Sequence, residues 1–143
     1  MTGGADSPAW TDLAEGHEVS ETFTIDDAAM AAFADLSGDR NPLHTDAAFA
    51  RSRGFPDRVV YGGLILARVS RLLGMRLPGR DGLWAGVKMS FRQPLHPGEE
   101  AVLTGRVRHR SDAARLLTIT LEVRCGDRLI ASGSAESAWR GDA

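Results

Sequence analysis

The first alternating pattern in the chain predicts a β-strand. Within residues 17–25, Val19, Phe23 and Ile25 fall on one face, as they do in a half-buried strand. Glu21 interrupts this alternation with a charge. The segment is therefore predicted as a first strand with one irregular position.

Two helical patterns follow, separated by a polar stretch. In residues 27–38, apolar residues recur at three-residue spacing after a pair of aspartates suited to capping, and Gly38 suits the helix end. Residues 64–77 are apolar around most of the helix surface, which is typical of a buried helix. A short helix is predicted between them, capped by Asp46.

The second half of the chain predicts a sheet. Four runs of partial alternation are separated by turn residues, and they cover residues 83–91, 101–110, 114–124 and 128–139. We expect a meander of antiparallel strands that curls around the apolar helix. The fold class is thus α+β, with a sheet rim that can pair with a second copy to form a homodimer.

Composition and charge narrow the class of protein. The chain has 143 residues, which suits one domain over residues 13–140 after a flexible tail at residues 1–12. Its net charge of -2 gives no reason to expect nucleic acid or an anionic membrane as a partner. Cys125 is the only cysteine, so neither an internal disulfide nor a cysteine-rich metal site is expected. With no membrane span or signal peptide in view, we expect a cytoplasmic protein that binds no metal.

One loop concentrates residues that can move protons. Residues 36–46 read LSGDRNPLHTD, and Pro42 stiffens the connection between Asp39 and His44. A carboxylate and an imidazole that reach the same water can activate it together. The same residue types are also common in turns that bond only to backbone amides, and residue chemistry alone leaves both interpretations open.

This loop closely resembles the signature of the MaoC-like (R)-specific enoyl-CoA hydratase family. The match extends over every defined position from Leu36 to Asp46, and the resemblance is strongest over residues 30–75. It implies a hot-dog fold, in which a curved antiparallel sheet wraps a long central helix. It also implies that Asp39 and His44 bind the catalytic water, while Asn41 holds the loop.

The resemblance extends to the start of the buried helix. It implies that the N–H of Gly62 polarises the thioester carbonyl, although tight helix packing also explains a glycine there. Ser70 resembles a serine often found in the family, and a hydroxyl bonded back to its own helix is the alternative. The family's His-Gly-Met is Tyr61-Gly62-Gly63 here. We therefore expect Tyr61 to offer the substrate a hydroxyl donor and the acyl pocket to be reshaped, with more room at Gly63.

The resemblance implies a lyase of fatty-acid or polyketide metabolism. It would interconvert a trans-2-enoyl thioester and an (R)-3-hydroxyacyl thioester, with coenzyme A or carrier-protein phosphopantetheine as part of the substrate and no other cofactor. Two alternatives stay open: a hot-dog thioesterase, and a non-catalytic subunit that supports a partner hydratase. His96 lies in a turn sequence and is expected to be exposed.

Overall fold

A computed structural model describes residues 3–142 of the chain, so residues 1 and 2 of the predicted tail lie outside the described residues. A single 3-10 turn at Trp10–Asp12 precedes the regular elements. In chain order these are β1 (Glu18–Thr24), α1 (Asp27–Ser37), α2 (Pro42–Thr45), α3 (Ala47–Ser52), α4 (Gly62–Met75), β2 (Gly82–Phe91), β3 (Glu100–Ser111), β4 (Leu116–Cys125) and β5 (Arg128–Trp139). The α+β class and the predicted strands and long helix are confirmed.

The five strands form one antiparallel sheet in the order β1-β3-β4-β5-β2. The predicted four-strand meander is therefore wrong for β2, which pairs with β5 and not with β3. The alternation along a strand determines which side chains face the core, but it does not determine the neighbouring strand. Residues 92–99 connect the edge strand β2 to β3. Because β5 and β4 lie between these two strands, the connection must pass both.

Helix α4 packs against one face of the sheet and contributes to the centre of the core. Its buried side chains are Ile65, Val69, Leu72 and Leu73. They pack on strand residues that are at most 1 % exposed, which include Leu103, Val107, Leu117, Ile119, Leu121 and Val123. Burial of each such aliphatic side chain contributes about 1.5–3 kcal/mol. A Cβ at Gly105 would lie 2.7 Å from Leu72, so this glycine lets the helix approach β3 closely.

The charge that interrupts the β1 pattern faces α4. The side chain of Glu21 is only 10 % exposed and accepts a hydrogen bond of 2.5 Å from Arg71. Arg76 lies 4.0 Å from the same carboxylate oxygen. Because both arginines neutralise it, an acid on the inner face of this edge strand is tolerated.

Local capping signals in the first half hold as predicted. Asp26 accepts the N–H of Ala29 at 2.8 Å at the start of α1, and Gly38 ends that helix with φ of 75°. Asp46 likewise accepts the N–H of Phe49 at 3.1 Å at the start of α3. The one-turn helix α2 was not predicted, although Asn41 before Pro42 is a favourable helix start.

The segment before β1 packs against the end of the sheet. Trp10 is 7 % exposed, lies 5.5 Å from the ring of Trp139 and donates its indole N–H to Asp112 at 2.7 Å. The N–H of Asp6 also bonds to the carbonyl of Met75 at 2.8 Å. Asp6 and Trp10, which fall within the predicted tail, are thus attached to the body of the protein.

The connection between β2 and β3 is packed tightly against the body. His96 is 8 % exposed, so the expectation that it is exposed was wrong. Its Nδ1 lies 2.8 Å from the carbonyl oxygen of Arg58, and its backbone N–H donates to Glu99 at 2.8 Å. The bond to Arg58 attaches the connection to the chain that leads into α4. Across residues 3–142, no helix is both long and apolar enough to span a bilayer.

Candidate active site

The loop between α1 and α3 is organised by its own polar side chains. The carboxylate of Asp39 accepts the N–H of Asn41 at 3.1 Å, and the Asp39 N–H donates to Ser37 at 3.0 Å. The Asn41 side chain accepts the N–H of Leu43 at 2.9 Å, while its backbone carbonyl accepts the N–H of His44 at 2.9 Å. These bonds stiffen the turn that carries both candidate catalytic residues. Across residues 3–142, no second protein group donates to the Asp39 carboxylate.

The imidazole of His44 is oriented by a backbone carbonyl. Its Nδ1 lies 2.6 Å from the oxygen of Val59. Because a carbonyl oxygen can only accept, Nδ1 must carry the proton of this bond. In the neutral ring Nε2 is therefore an acceptor, which is the form that a general base needs.

His44 forms part of the wall of an apolar cavity of about 340 Å³. The cavity also reaches the start of α4 at Gly62 and the end of β2 at Phe91. Its remaining lining is mainly aliphatic and aromatic, from Leu43, Phe55, Val59, Val60, Ile65, Pro94 and Leu95, with Arg92 and Gln93 as further polar residues. Such a lining suits an acyl chain.

The N-terminus of α4 opens onto this cavity at Gly62, which is the first residue of the 14-residue helix. Across residues 3–142, no protein acceptor is bonded to the Gly62 N–H. A donor of this kind, aided by the helix dipole, stabilises negative charge on a nearby oxygen. A Cβ at position 62 would lie 3.1 Å from the Phe91 ring, so a larger residue would push that ring.

His44 also borders a second, polar cavity of about 230 Å³. Its charged lining residues are Asp27, Asp35, Arg40 and Arg58, and these form the ion pairs Arg40–Asp35 at 2.6 Å and Arg58–Asp27 at 2.5 Å. The imidazole therefore lies between an apolar cavity and a polar one.

Tyr61 is bonded to the loop and does not line the apolar cavity. The residue is 2 % exposed, and its hydroxyl donates to the backbone carbonyl of Asp39 at 2.7 Å. Burial raises the pKa of Tyr61 above its ordinary value, and the nearby charge of Asp39 raises this pKa further. Its hydroxyl therefore stays protonated near neutral pH and acts as a donor.

The structure brings some of the predicted site residues together and separates others. His44 and Gly62 line the same cavity, whereas Asp39 and Asn41 are not among its lining residues and are exposed. Ser70 lies further along α4, in a separate cavity of about 90 Å³ with Trp84 and Ser137 among its neighbours. Across residues 3–142, no three His, Cys, Asp or Glu residues cluster as metal ligands.

Two contributors to the site were missed from the sequence. The carbonyl of Val59 orients His44, and a backbone group leaves no side-chain signal. The ring of Phe33 packs 4.7 Å from that of Tyr61, and its position in an amphipathic helix suggested only a core residue.

The fold is that of a hot-dog protein, and the named relatives are hydratases and dehydratases. The family model described as "MaoC like domain" matches residues 11–125. An "(R)-specific enoyl-CoA hydratase" of Aeromonas caviae is 37% identical over 109 residues, which cover 76% of this chain and 81% of the relative. A "3-hydroxybutyryl-CoA dehydratase" of Methylorubrum extorquens is 28% identical over 111 residues, covering 78% of this chain and 71% of that one.

The solved structures agree with this result. The (R)-hydratase from A. caviae involved in PHA biosynthesis superimposes with a TM-score of 0.85 at 33% identity, covering 89% of this chain and 97% of that one. The chain belongs to the MaoC-like domain family, and it is an enzyme of the hydratase and dehydratase class.

The bond to Val59 predicts the tautomer of His44. In long-range ¹H–¹⁵N spectra recorded where the ring is neutral, His44 should carry its proton on Nδ1. The exposed His17 is the control, and its ring should exchange between both tautomers. A neutral His44 with its proton on Nε2 would contradict the assignment of the free base nitrogen.

Proposed function

We propose that this enzyme adds water reversibly across the double bond of a trans-2-enoyl thioester and forms an (R)-3-hydroxyacyl thioester. One observation carries the proposal: His44 and Gly62 line the same apolar cavity. In the neutral ring of His44, Nε2 is free to accept a proton, and Gly62 is the first residue of α4. The relatives that act on enoyl-CoA and 3-hydroxybutyryl-CoA support this substrate class.

Hydration requires a base, an acid and a site for negative charge. The oxygen of water bonds to the β-carbon while its proton goes to a base, and the negative charge moves through the α-carbon to the thioester oxygen. The α-carbon then takes a proton, so the net change is one water added. Asp39 and His44 share these proton transfers, with one accepting the water proton and the other orienting the water or protonating the carbon.

The Gly62 N–H stabilises the thioester oxygen in this scheme. It lies at the positive end of α4, in an apolar environment where such a donor is worth most. Removal of a comparable donor costs about 10²–10³ in kcat in other enzymes. The acyl chain extends into the cavity between Phe55, Ile65 and Leu95.

The two cavities that meet at His44 suggest separate places for the substrate and for water. The apolar cavity accommodates the acyl chain, while the polar cavity beside Arg40 and Arg58 leaves a route for solvent. The thioester is carried by coenzyme A or by phosphopantetheine on a carrier protein. No resident metal or organic cofactor takes part in the scheme.

Loss of either proton-transfer group should abolish most of the activity. With crotonyl-CoA as substrate, Asp39→Asn and His44→Gln should each lower kcat about 10²–10⁴-fold, since positioned proton transfer contributes that much. The measurement is the decrease of enoyl absorbance. Asp127→Asn and His17→Gln make matched changes at exposed positions and should keep the wild-type rate.

The same assay separates the reaction from thioester hydrolysis. A thiol reagent added in parallel should detect no release of coenzyme A by the wild-type protein. Thiol release without loss of the double bond would favour a thioesterase. An inactive purified chain, or full activity in both Asp39 and His44 variants, would contradict the proposed hydratase.

We also propose that two copies pair through β2. This strand pairs with β5 alone among the described strands, and it exposes Val87 and Phe91 at 45% and 52%. Val87 lies opposite the buried Ala135, on the face of the sheet that holds α4. The other edge strand, β1, instead places the charge of Glu21 on that inner face, a feature that discourages edge pairing. Phe91 also lines the apolar cavity, so this interface would adjoin the active site.

A charge on the β2 edge should separate the copies. The wild-type protein at micromolar concentration should elute as a dimer in gel filtration with light scattering, and Val87→Lys should elute as a monomer. Val102→Lys is the matched control, because Val102 is 39% exposed in the interior strand β3 and should not affect pairing. A monomeric wild-type protein, or a dimer that survives Val87→Lys, would exclude this interface.

A further inference from the structure

We propose that Tyr61 is a positioning residue that holds both candidate catalytic groups at once, and that Gly63 and Phe33 provide the space and the support for its ring. This inference rests on the proposed function, because it concerns the geometry of Asp39 and His44. It reassigns Tyr61 from a contact with substrate to a contact with the catalytic loop.

Tyr61 makes a different contact with each of the two groups. Its hydroxyl donates to the backbone carbonyl of Asp39 at 2.7 Å. Its ring stacks on the imidazole of His44, with 4.0 Å between ring centroids and 25° between the planes. One rigid side chain thereby sets the distance between the Asp39 backbone and the His44 ring. Side chains of this kind supply the precise geometry that proton transfer needs.

The hydroxyl of Tyr61 is not available to the substrate. A phenol has one proton to donate, and that proton is directed to the Asp39 carbonyl. Tyr61 is also absent from the lining of the apolar cavity. A change at this position should therefore act on the catalytic rate through the loop and should leave the affinity for the acyl group nearly unchanged.

Gly63 and Phe33 complete the arrangement around the tyrosine. The Phe33 ring packs 4.7 Å from the Tyr61 ring, at an interplanar angle of 46°. A Cβ on Gly63 would lie 2.3 Å from Cζ of Phe33, a distance that would force the phenyl ring to move. The space that a small residue leaves at position 63 is therefore occupied by the phenyl ring, which supports Tyr61 from α1. Tyr61, Gly63 and Phe33 form one packing unit.

Two variants separate the hydroxyl from the ring. Tyr61→Phe removes only the hydrogen bond to Asp39, and we expect kcat to fall about 3- to 10-fold with KM changed less than about twofold. Tyr61→Leu also removes the stacked ring, and kcat should fall further. Ser20→Ala is the control for loss of a hydroxyl, since the Ser20–Thr104 bond lies on an exposed face away from the site, and its rate should match the wild type.

Nuclear magnetic resonance gives a readout that does not depend on activity. The carbon-bound ring protons of His44 lie over an aromatic ring and are shifted upfield by it. In Tyr61→Leu these resonances should move downfield, whereas in Tyr61→Phe they should stay near their wild-type positions while the Arg40 amide shifts. Unchanged His44 resonances in Tyr61→Leu would overturn the proposal.

Steady-state kinetics also test the positioning role of Tyr61. A Tyr61→Phe enzyme with wild-type kcat, or one in which KM alone rises, would overturn the positioning role. If the wild-type chain shows no hydratase activity, the proposed function fails, and the His44 resonances still test whether Tyr61 holds the imidazole.

The unit of three residues has its own test. Gly63→Ala should lower kcat because its methyl group displaces Phe33. Phe33→Leu should then lower kcat less in the Gly63→Ala background than in the wild-type background, because the effects of substitutions at contacting residues are not additive. If the double variant lowers kcat by the product of the two single effects, Gly63 and Phe33 do not act together, and they would be removed from the proposal.

Discussion

The candidate active site depends on the hydrogen bonds that attach the loop after α1 to the chain that leads into α4. The Tyr61 hydroxyl donates to the carbonyl of Asp39, Nδ1 of His44 donates to the carbonyl of Val59, and the N–H of Val59 donates to the carbonyl of Leu43. Val60 and Tyr61, directly before α4, are buried in the core. The hydrogen bonds therefore attach the loop to a packed segment, while the side chains proposed for catalysis, Asp39 and His44, stay at least partly exposed.

Much of the fold could be predicted because its signals are local. Alternation and helical periodicity identified the strands and α4, and Asp26, Gly38 and Asp46 act at the helix ends as their residue types suggest. The place of β2 in the sheet could not be predicted, since the same alternating surface can pair with either β3 or β5. The burial of His96 could not be predicted for a related reason, because its partner, the carbonyl of Arg58, is distant in sequence.

The candidate site could likewise be predicted only in part. The spacing of Asp39 and His44 around Pro42 suggested an acid–base pair, and that role stays a prediction. The structure places His44 in the wall of the apolar cavity and Asp39 outside its lining. The contacts of Tyr61 could not be read from the sequence, where a tyrosine in place of histidine suggested a donor for substrate. Its hydroxyl instead meets the backbone of residue 39, and the space beside Gly63 is filled by Phe33. Side-chain identity alone does not reveal a bond to a backbone carbonyl 22 residues away.

We propose that Asp39 and His44 act on one water beside a bound enoyl thioester. A crystal structure with an (R)-3-hydroxyacyl thioester tests it most directly, because the 3-hydroxyl of this product occupies the place of the added water. We expect this hydroxyl at hydrogen-bond distance, about 2.7–3.2 Å, from His44 Nε2 and from the Asp39 carboxylate. The thioester oxygen should accept the N–H of Gly62. An acyl group bound elsewhere, or a 3-hydroxyl that contacts neither side chain, would contradict it.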